Sequence, residues 1–377
     1  MRVTHATSVH ARTDTRIWVK MCRSVVAAGH EVTLVVADRL GTEERDGVTI
    51  LDVGEGSEAS RRGRLNRATR VAHGVMKAAL DTDADVVHFH DPELLPHAAW
   101  LRKQSGPRLI FDAHEDVPKQ ILGKHYIPRM GRPWASAGYA GLERTLISRV
   151  DAVVTATPSI ADRYRKVHSQ VVCVANFPRE DELYRGRSPE ASRAGICYVG
   201  GISGARGIRE VVDALPLTRT ATPLHLAGRF SAESLHTEVA ASEGWRLVEP
   251  LGFLDRDAVR GLLGRVVAGV VTFLPAPNHL NAQPNKMFEY MSAGIPLIAS
   301  HFPLWRQIVE GDHCGVCVDP TDPRDIAQAI DRLVSNPEEA RAMGGNGRAA
   351  VEREYNWESQ ASRLLDLYDS LGRRDRL

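Results

Sequence analysis

Asn285, Lys286 and Glu289 stand in a segment, Gln283 to Ser300, whose residue types suit a phosphorylated ligand. Pro284 lies at a helix start, Gly294 just past its end, and Pro-Leu-Ile-Ala continues as a strand, so a short helix is expected from about Asn285 to Ala293. Its free backbone N–H groups and the positive end of its dipole would meet a diphosphate, to which Lys286 adds charge and Asn285 a donor. Glu289 comes four residues after Asn285 and shares its helix face, where two carboxylate oxygens can accept both hydroxyls of a ribose. Met287, Tyr290 and Met291 make the core face of the same helix. A second candidate, Gly200-Gly201-Ile202-Ser203-Gly204-Ala205-Arg206-Gly207, follows the apolar run Ile-Cys-Tyr-Val. Glycine there lets the backbone approach a phosphate closely, and Arg206 supplies a permanent, forked cation. A tight strand-to-helix turn that uses glycine for packing alone is the other reading.

The elements that must hold these residues alternate along the chain. Val3–Thr7, Glu31–Ala37, Val48–Val53, Val86–His90, Leu109–Ala113, Val153–Ala156 and Val171–Ala175 read as strands of a first sheet. Ile196–Val199, Leu224–Ala227, Arg246–Val248, Val270–Phe273, Pro296–Ala299 and Gly315–Val318 read as a second. Helical patterns between them imply parallel strands in both. Asn176 to Ser192 contains Phe-Pro, Arg-Glu-Asp-Glu and Gly-Arg-Ser-Pro and reads as a linker. The expected organisation is α/β: a Rossmann-like domain over 1–178, a linker over 179–192, a second Rossmann-like domain over 193–355 and a last helical segment over 356–377.

Ligands of open parallel sheets bind beyond the carboxyl ends of strands, so the residues just after each strand are candidates. After the first strand come His10, Asp14 as a helix N-cap, and Arg16 and Lys20, whose i,i+4 spacing fits either a ligand-facing pair or solvated surface charges. His88 and His90 share one strand face and are followed by Asp91. Asp112, His114, Glu115 and Asp116 end a neighbouring strand. His88 reads as a packed strand residue, and no closed ligand set for a metal is apparent.

The segment around Glu289 resembles family 4, group 1, of the retaining nucleotide-sugar glycosyltransferases. Glu289 and Ser-Ala-Gly-Ile-Pro match that family's pattern, while Asn281 stands where its first glutamate is expected. Gly201 stands at the position of a usual arginine and Arg206 at that of a usual lysine. The pattern His10-x-x-x-Asp14-x-Arg16 resembles a polysaccharide-locus or natural-product branch. The resemblance implies the GT-B fold, with two parallel-sheet domains facing across a cleft and the C-terminal helix returning to the first. It implies a donor site of Gly201, Ser203, Phe253, Asn281, Pro284, Asn285, Lys286 and Glu289, with Phe253 either beside the base or in the core. His114, Arg206 and Lys286 would be catalytic, His114 near the anomeric carbon. His10, Arg16, His90, Asp91 and Glu115 would receive the acceptor. The co-substrate would be a UDP- or GDP-sugar, the acceptor a small molecule or a lipid-linked glycan. Neither cofactor nor metal is implied, and Asp255-Arg-Asp257 reads as a helix cap rather than a metal motif.

Length and composition fit a soluble globular protein of two domains: 377 residues, 43% hydrophobic and 25% charged. A net charge of +1 gives no nucleic-acid signature. No secretory leader and no bilayer-length apolar run is read, so the cytoplasm is expected. The basic helix Arg61 to Lys77 could rest on the inner membrane face, or be a solvated helix packed on the sheet. The five cysteines form no disulfide framework, and Cys314 and Cys317 flank a strand that points them apart. A nucleotide-sugar epimerase and a catalytically silent nucleotide-sugar binder remain open beside the transferase. A glycine-free first turn, Thr7 to Thr13, argues against a dinucleotide oxidoreductase. Oligomeric state is not set by the sequence.

Overall fold

A computed structural model describes residues 1–54, 66–102, 106–123, 127–180, 182–184 and 193–373. The chain divides into two compact units, one of residues 1–176 together with the last helix from Ser359 onward, the other Phe177–Glu358. The described part of the expected linker joins the second unit, where Glu182 pairs with Arg256 and the Glu180 carbonyl accepts from Arg348.

In the first unit the strands are β1 (Arg2–Ala6), β2 (Glu31–Val36), β3 (Glu43–Arg45), β4 (Val48–Asp52), β5 (Val86–Phe89), β6 (Arg108–Ala113), β7 (Ala152–Thr155) and β8 (Val171–Cys173). They lie in the order β3-β4-β2-β1-β5-β6-β7-β8. Every pair is parallel except β3 with β4. Apolar runs such as β5, buried along its whole length, are what a sheet covered on both faces requires. β3 escaped the sequence reading because its three residues, Glu-Glu-Arg, are charged and exposed and carry no apolar period.

The second unit has β9 (Ile196–Val199), β10 (Leu224–Ala227), β11 (Val248–Gly252), β12 (Ala268–Val271), β13 (Leu297–Ser300) and β14 (Gly315–Val318), ordered β11-β10-β9-β12-β13-β14 and parallel throughout. The third of these was expected at Arg246–Val248. Glu243–Leu247 instead winds as a 3-10 turn capped by Ser242, and the strand starts at Val248.

Strand order reverses between β9 and β12 in the second sheet and between β1 and β5 in the first. The loops after those strands therefore diverge and leave a crevice in each unit. Those four loops carry most of the residues singled out in the sequence.

Candidate functional site

In the second unit the helix Asn285–Ser292 forms as expected, buried through Met287, Tyr290 and Met291. Tyr290 sets its position. The phenol accepts a hydrogen bond of 2.8 Å from the Val199 backbone N–H at the end of β9. Its ring lies against Gly269 of β12, where a Cβ would stand 2.2 Å away. The helix N-terminus is thereby fixed beside the loop that starts at Gly200.

Lys286 is the chemically notable group. Its side chain is only 7% exposed, yet its Nζ has no hydrogen-bond partner. It lies 3.5 Å above the centre of the Tyr198 ring, a cation–π contact. Burial, and then the charge of Arg206, hold its pKa well below the ordinary lysine value. Gly200, at φ +117°, keeps the space over the amine open, since a Cβ there would stand 3.6 Å from Nζ. Gln283 Oε1, immediately before the helix, and Thr272 Oγ1, just after β12, are also buried without partners. A desolvated ammonium at a helix N-terminus, facing a glycine turn, is suited to an anion.

Around it, Arg206 ends the short turn Gly204–Arg206 and spends one N–H on the Gly201 carbonyl at 2.8 Å. Ser203 starts that turn. Glu289 is engaged by Arg256, whose Nη1 donates to its Oε1 at 2.8 Å, while the Arg256 Nε donates to Glu182 Oε1 at 2.7 Å. Oε2 of Glu289 is left for another donor. Asn281 and Asn285 are exposed, Pro284 half-buried. Phe253 is 70% exposed with the Arg229 guanidinium 5.1 Å over its ring, which corrects the core alternative and leaves a free aromatic face. Asp255 caps the next helix through the Ala258 N–H at 2.8 Å, as its sequence context implied.

The first unit holds a different arrangement. Asp112, fully buried, receives both the Nε and Nη2 of Arg16 at 2.9 and 2.8 Å, His90 Nδ1 at 3.0 Å and His114 Nε2 at 2.8 Å. These partners hold its carboxyl well below the usual carboxylate range, although burial alone would raise it. The proton positions follow in sequence. Asp112 can only accept, so His90 donates from Nδ1 and its Nε2 accepts from His5 Nδ1 at 2.9 Å. His5 Nε2 then accepts from the Tyr368 hydroxyl at 3.4 Å, and His88 Nδ1 donates to that oxygen at 2.7 Å. Burial keeps His5, His88 and His90 neutral by lowering their pKa values.

Ligating atoms of His88, His90 and Asp112 lie within 4.8 Å of one another, but only His88 Nε2 lacks a partner. Apart from His88 Nε2, the cluster is a satisfied hydrogen-bond network with Arg16 as its counter-ion. This corrects three acceptor assignments. Arg16 is 4% exposed and also donates to the Val174 carbonyl, His90 is sealed beneath, and Asp91 accepts from Thr7 Oγ1 and from the Ser8 N–H and hydroxyl. Lys20, likewise buried, donates to Asn176. What stays open is a smaller set. His10 and His114 are partly exposed with rings 5.2 Å apart, and Glu115 is exposed. Asp14 and Asp91 flank His10, raising its pKa against the effect of burial. Asp112 fixes Nε2 of His114 as the donor, which leaves Nδ1 as an acceptor.

Arg256 and Glu182 were missed by sequence reasoning. Each pairs with a residue distant in the chain and neither has a local pattern to announce it. Of the expected helix Arg61 to Lys77, residues 61–65 lie outside the described residues, and Arg67 is bound to Glu93. Among the described residues, no helix is long and apolar enough to cross a membrane.

Residues 15–176 match the family described as glycosyl transferase 4-like domain, and residues 193–336 match glycosyl transferases group 1. The glycogen synthase of Mycobacterium tuberculosis is 23% identical over 94% of this chain and 90% of its own length. A phosphatidyl-myo-inositol mannosyltransferase of Mycobacterium leprae is 24% identical over 82% of this chain and 79% of its own. Among solved structures, the sucrose-phosphate synthase of Thermosynechococcus elongatus superposes with a TM-score of 0.77 at 17% identity, covering 98% of each chain. Anabaena HepE, solved in complex with UDP, superposes at 0.70 with 13% identity over 98% of this chain and 100% of its own. The chain belongs to the group 1 glycosyltransferases, with the two Rossmann-like domains of the GT-B fold.

Proposed function

We propose that the chain moves a hexosyl group from a nucleoside diphosphate sugar to an acceptor nucleophile, with retention and without a metal, in the cytoplasmic synthesis of a glycan or specialised metabolite. The observation that carries this reading is the buried, unpartnered Lys286 Nζ at a helix N-terminus opposite Gly200. The diphosphate is assigned to Lys286, the helix N-terminus, Gly201, Ser203 and Arg206. The ribose is assigned to Glu289, the base to Phe253 and the sugar to Asn281, with Pro284 and Asn285 shaping the helix start. UDP is the first nucleotide to test, since the structurally similar HepE was solved with it.

In the reaction the bond between the anomeric carbon and the β-phosphate oxygen breaks, and negative charge grows on the departing diphosphate. Lys286 and Arg206 stabilise that charge more strongly as it grows. The acceptor attacks from the face the phosphate leaves, and its proton passes to the departing phosphate oxygen. Asn281 can hydrogen-bond the sugar but offers no carboxylate for a double displacement. His114, oriented by Asp112, is the group we assign to the developing charge at the anomeric carbon, and His10 and Glu115 to the acceptor, soluble or lipid-linked.

The test is a calorimetric titration with UDP-, GDP-, ADP- and TDP-sugars, with and without EDTA, repeated on Glu289→Ala. Selective, chelator-insensitive binding that falls at least ten-fold in the variant supports the donor site. Failure of all four donors to bind removes it. Binding followed by no transfer to any acceptor leaves a nucleotide-sugar binding protein.

A further inference from the structure

We propose that residues 117–123 and 127–149 of the first unit form a docking surface for an anionic lipid bilayer. The segment holds the helix Val117–Gly123, the turn Arg129–Gly131 and the helix Arg132–Ile147. The second helix is apolar in composition, reading Arg-Pro-Trp-Ala-Ser-Ala-Gly-Tyr-Ala-Gly-Leu-Glu-Arg-Thr-Leu-Ile, yet only Glu143 and Ile147 of it are buried. Leu146 and Ile147 pack on the core, while Pro133, Trp134, Ala135, Ala137 and Leu142 are exposed. Met130 is 90% exposed, Trp134 82% and Leu142 55%, with Leu122 beside them on the first helix at 37%. Trp134 and Leu142 are eight residues apart, so they share a face roughly 12 Å long. Between them Gly138 and Gly141 have nothing within 4 Å of the Cβ position, so no described residue packs on the helix at those two points. Singly exposed apolar residues are ordinary, but four on one segment, with an almost bare tryptophan and methionine among them, mark a contact surface.

Charge decides what the surface contacts. Among the described residues of 117–149 the cations are Lys119, Arg129, Arg132, Arg144 and Arg149. The single acid, Glu143, is buried and bound by Arg163 and by the Tyr164 hydroxyl at 2.6 Å. Lys119 is paired with Asp116 at 3.1 Å, and Arg129, Arg132, Arg144 and Arg149 leave the segment with an excess of positive charge. A second copy of this chain would bring like charges together, whereas an anionic membrane attracts them and receives tryptophan at its interfacial layer. The segment also follows directly on His114 and Glu115, the open groups at the end of β6. Docking would present those groups to lipid, which favours a lipid-linked acceptor. The surface itself stands independently of the transferase reading.

Co-sedimentation of the full chain with phosphatidylglycerol-containing vesicles tests the proposal, using pure phosphatidylcholine vesicles as the control. Binding to the anionic vesicles is expected, weakening at least ten-fold between 50 and about 300 mM salt. The double substitution Trp134→Ser, Met130→Ser should reduce it about ten-fold while melting temperature and UDP affinity stay unchanged, since both side chains are free of the fold. Absence of binding at low salt overturns the proposal. So does binding that survives the double substitution. Self-association in sedimentation velocity, abolished by the same substitution and without vesicle binding, assigns the stripe to a second copy and also overturns it.

Discussion

Two buried charged groups, Lys286 in the second unit and Asp112 in the first, have opposite surroundings. Asp112 receives four hydrogen bonds from Arg16, His90 and His114, so its charge is satisfied within the unit. Lys286 has an aromatic ring beneath it and no hydrogen bond at all. Burying an ion without a partner is costly, and a fold retains such a group where something else supplies the partner. The contrast separates a structural cluster from a binding site more sharply than residue type does, because the histidines and carboxylates clustered in the first unit look more catalytic in sequence than one lysine in the second.

The largest effect should come from breaking the satisfied cluster. Asp112→Asn leaves the Arg16 guanidinium buried and uncompensated, and should lower unfolding free energy in urea by about 3–5 kcal/mol. Lys286→Met should keep or slightly raise stability, since it removes an unpartnered ion, while UDP binding measured by calorimetry drops at least ten-fold. Equal destabilisation by both substitutions would erase the distinction.

Acid sharpens the same comparison. His5, His88 and His90 have folded pKa values below the ordinary 6.5, so the unfolded chain binds more protons than the folded one as pH falls through that value. Their neutrality is without penalty above about 6.5 and costs stability below it. Three such groups amount to at most about 4 kcal/mol at pH 5.5. His10 has the opposite sign. Its raised pKa contributes stability that is fully present below 6.5 and is lost as pH rises through the folded value. Melting temperature is therefore expected to peak near neutrality and fall steeply between pH 6.5 and 5.5. A flat profile there would mean that the three histidines are not held neutral.

What was legible in the sequence and what was not divides along a related line. The helix Asn285–Ser292 could be read because proline, glycine and three core side chains are local signals, and Asp14 and Asp255 could be read as caps because a cap needs only its next three residues. Continuous apolar runs gave both sheets. Arg16 could not be placed, because an i,i+4 basic pair looks the same on a wet face as in a core, and its partner Asp112 is 96 residues away. Arg256 was invisible for the same reason, 33 residues from Glu289. Pairings between distant residues decide which polar groups are committed, and no local window contains them.

Arg256 gives a smaller effect. It holds one oxygen of Glu289 and leaves the other open, so it orients the carboxylate that is assigned to the ribose. Arg256→Ala should raise the donor KM roughly three- to ten-fold with kcat little changed, and Arg256→Lys should restore part of the loss. A fall in KM would instead show that the arginine competes with the ribose for Glu289.

The smallest effect is a count of protons, and it bears directly on Lys286. Burial and the nearby Arg206 lower its pKa well below the ordinary lysine value, so the empty site favours the neutral amine more than water does. A diphosphate beside Nζ opposes that shift, so binding favours the protonated amine. UDP titrated at about pH 8, above the phosphate's own ionisation near 6, isolates this uptake from that of the ligand. Binding enthalpies in two buffers of different ionisation heat should then differ by a fraction of one proton per site, in the direction of uptake, and the affinity should rise as pH is lowered. Lys286→Met should remove both effects. If the wild-type enthalpies agree between buffers, Lys286 is already charged in the empty site, and its isolation differs from that of Asp112 in geometry only.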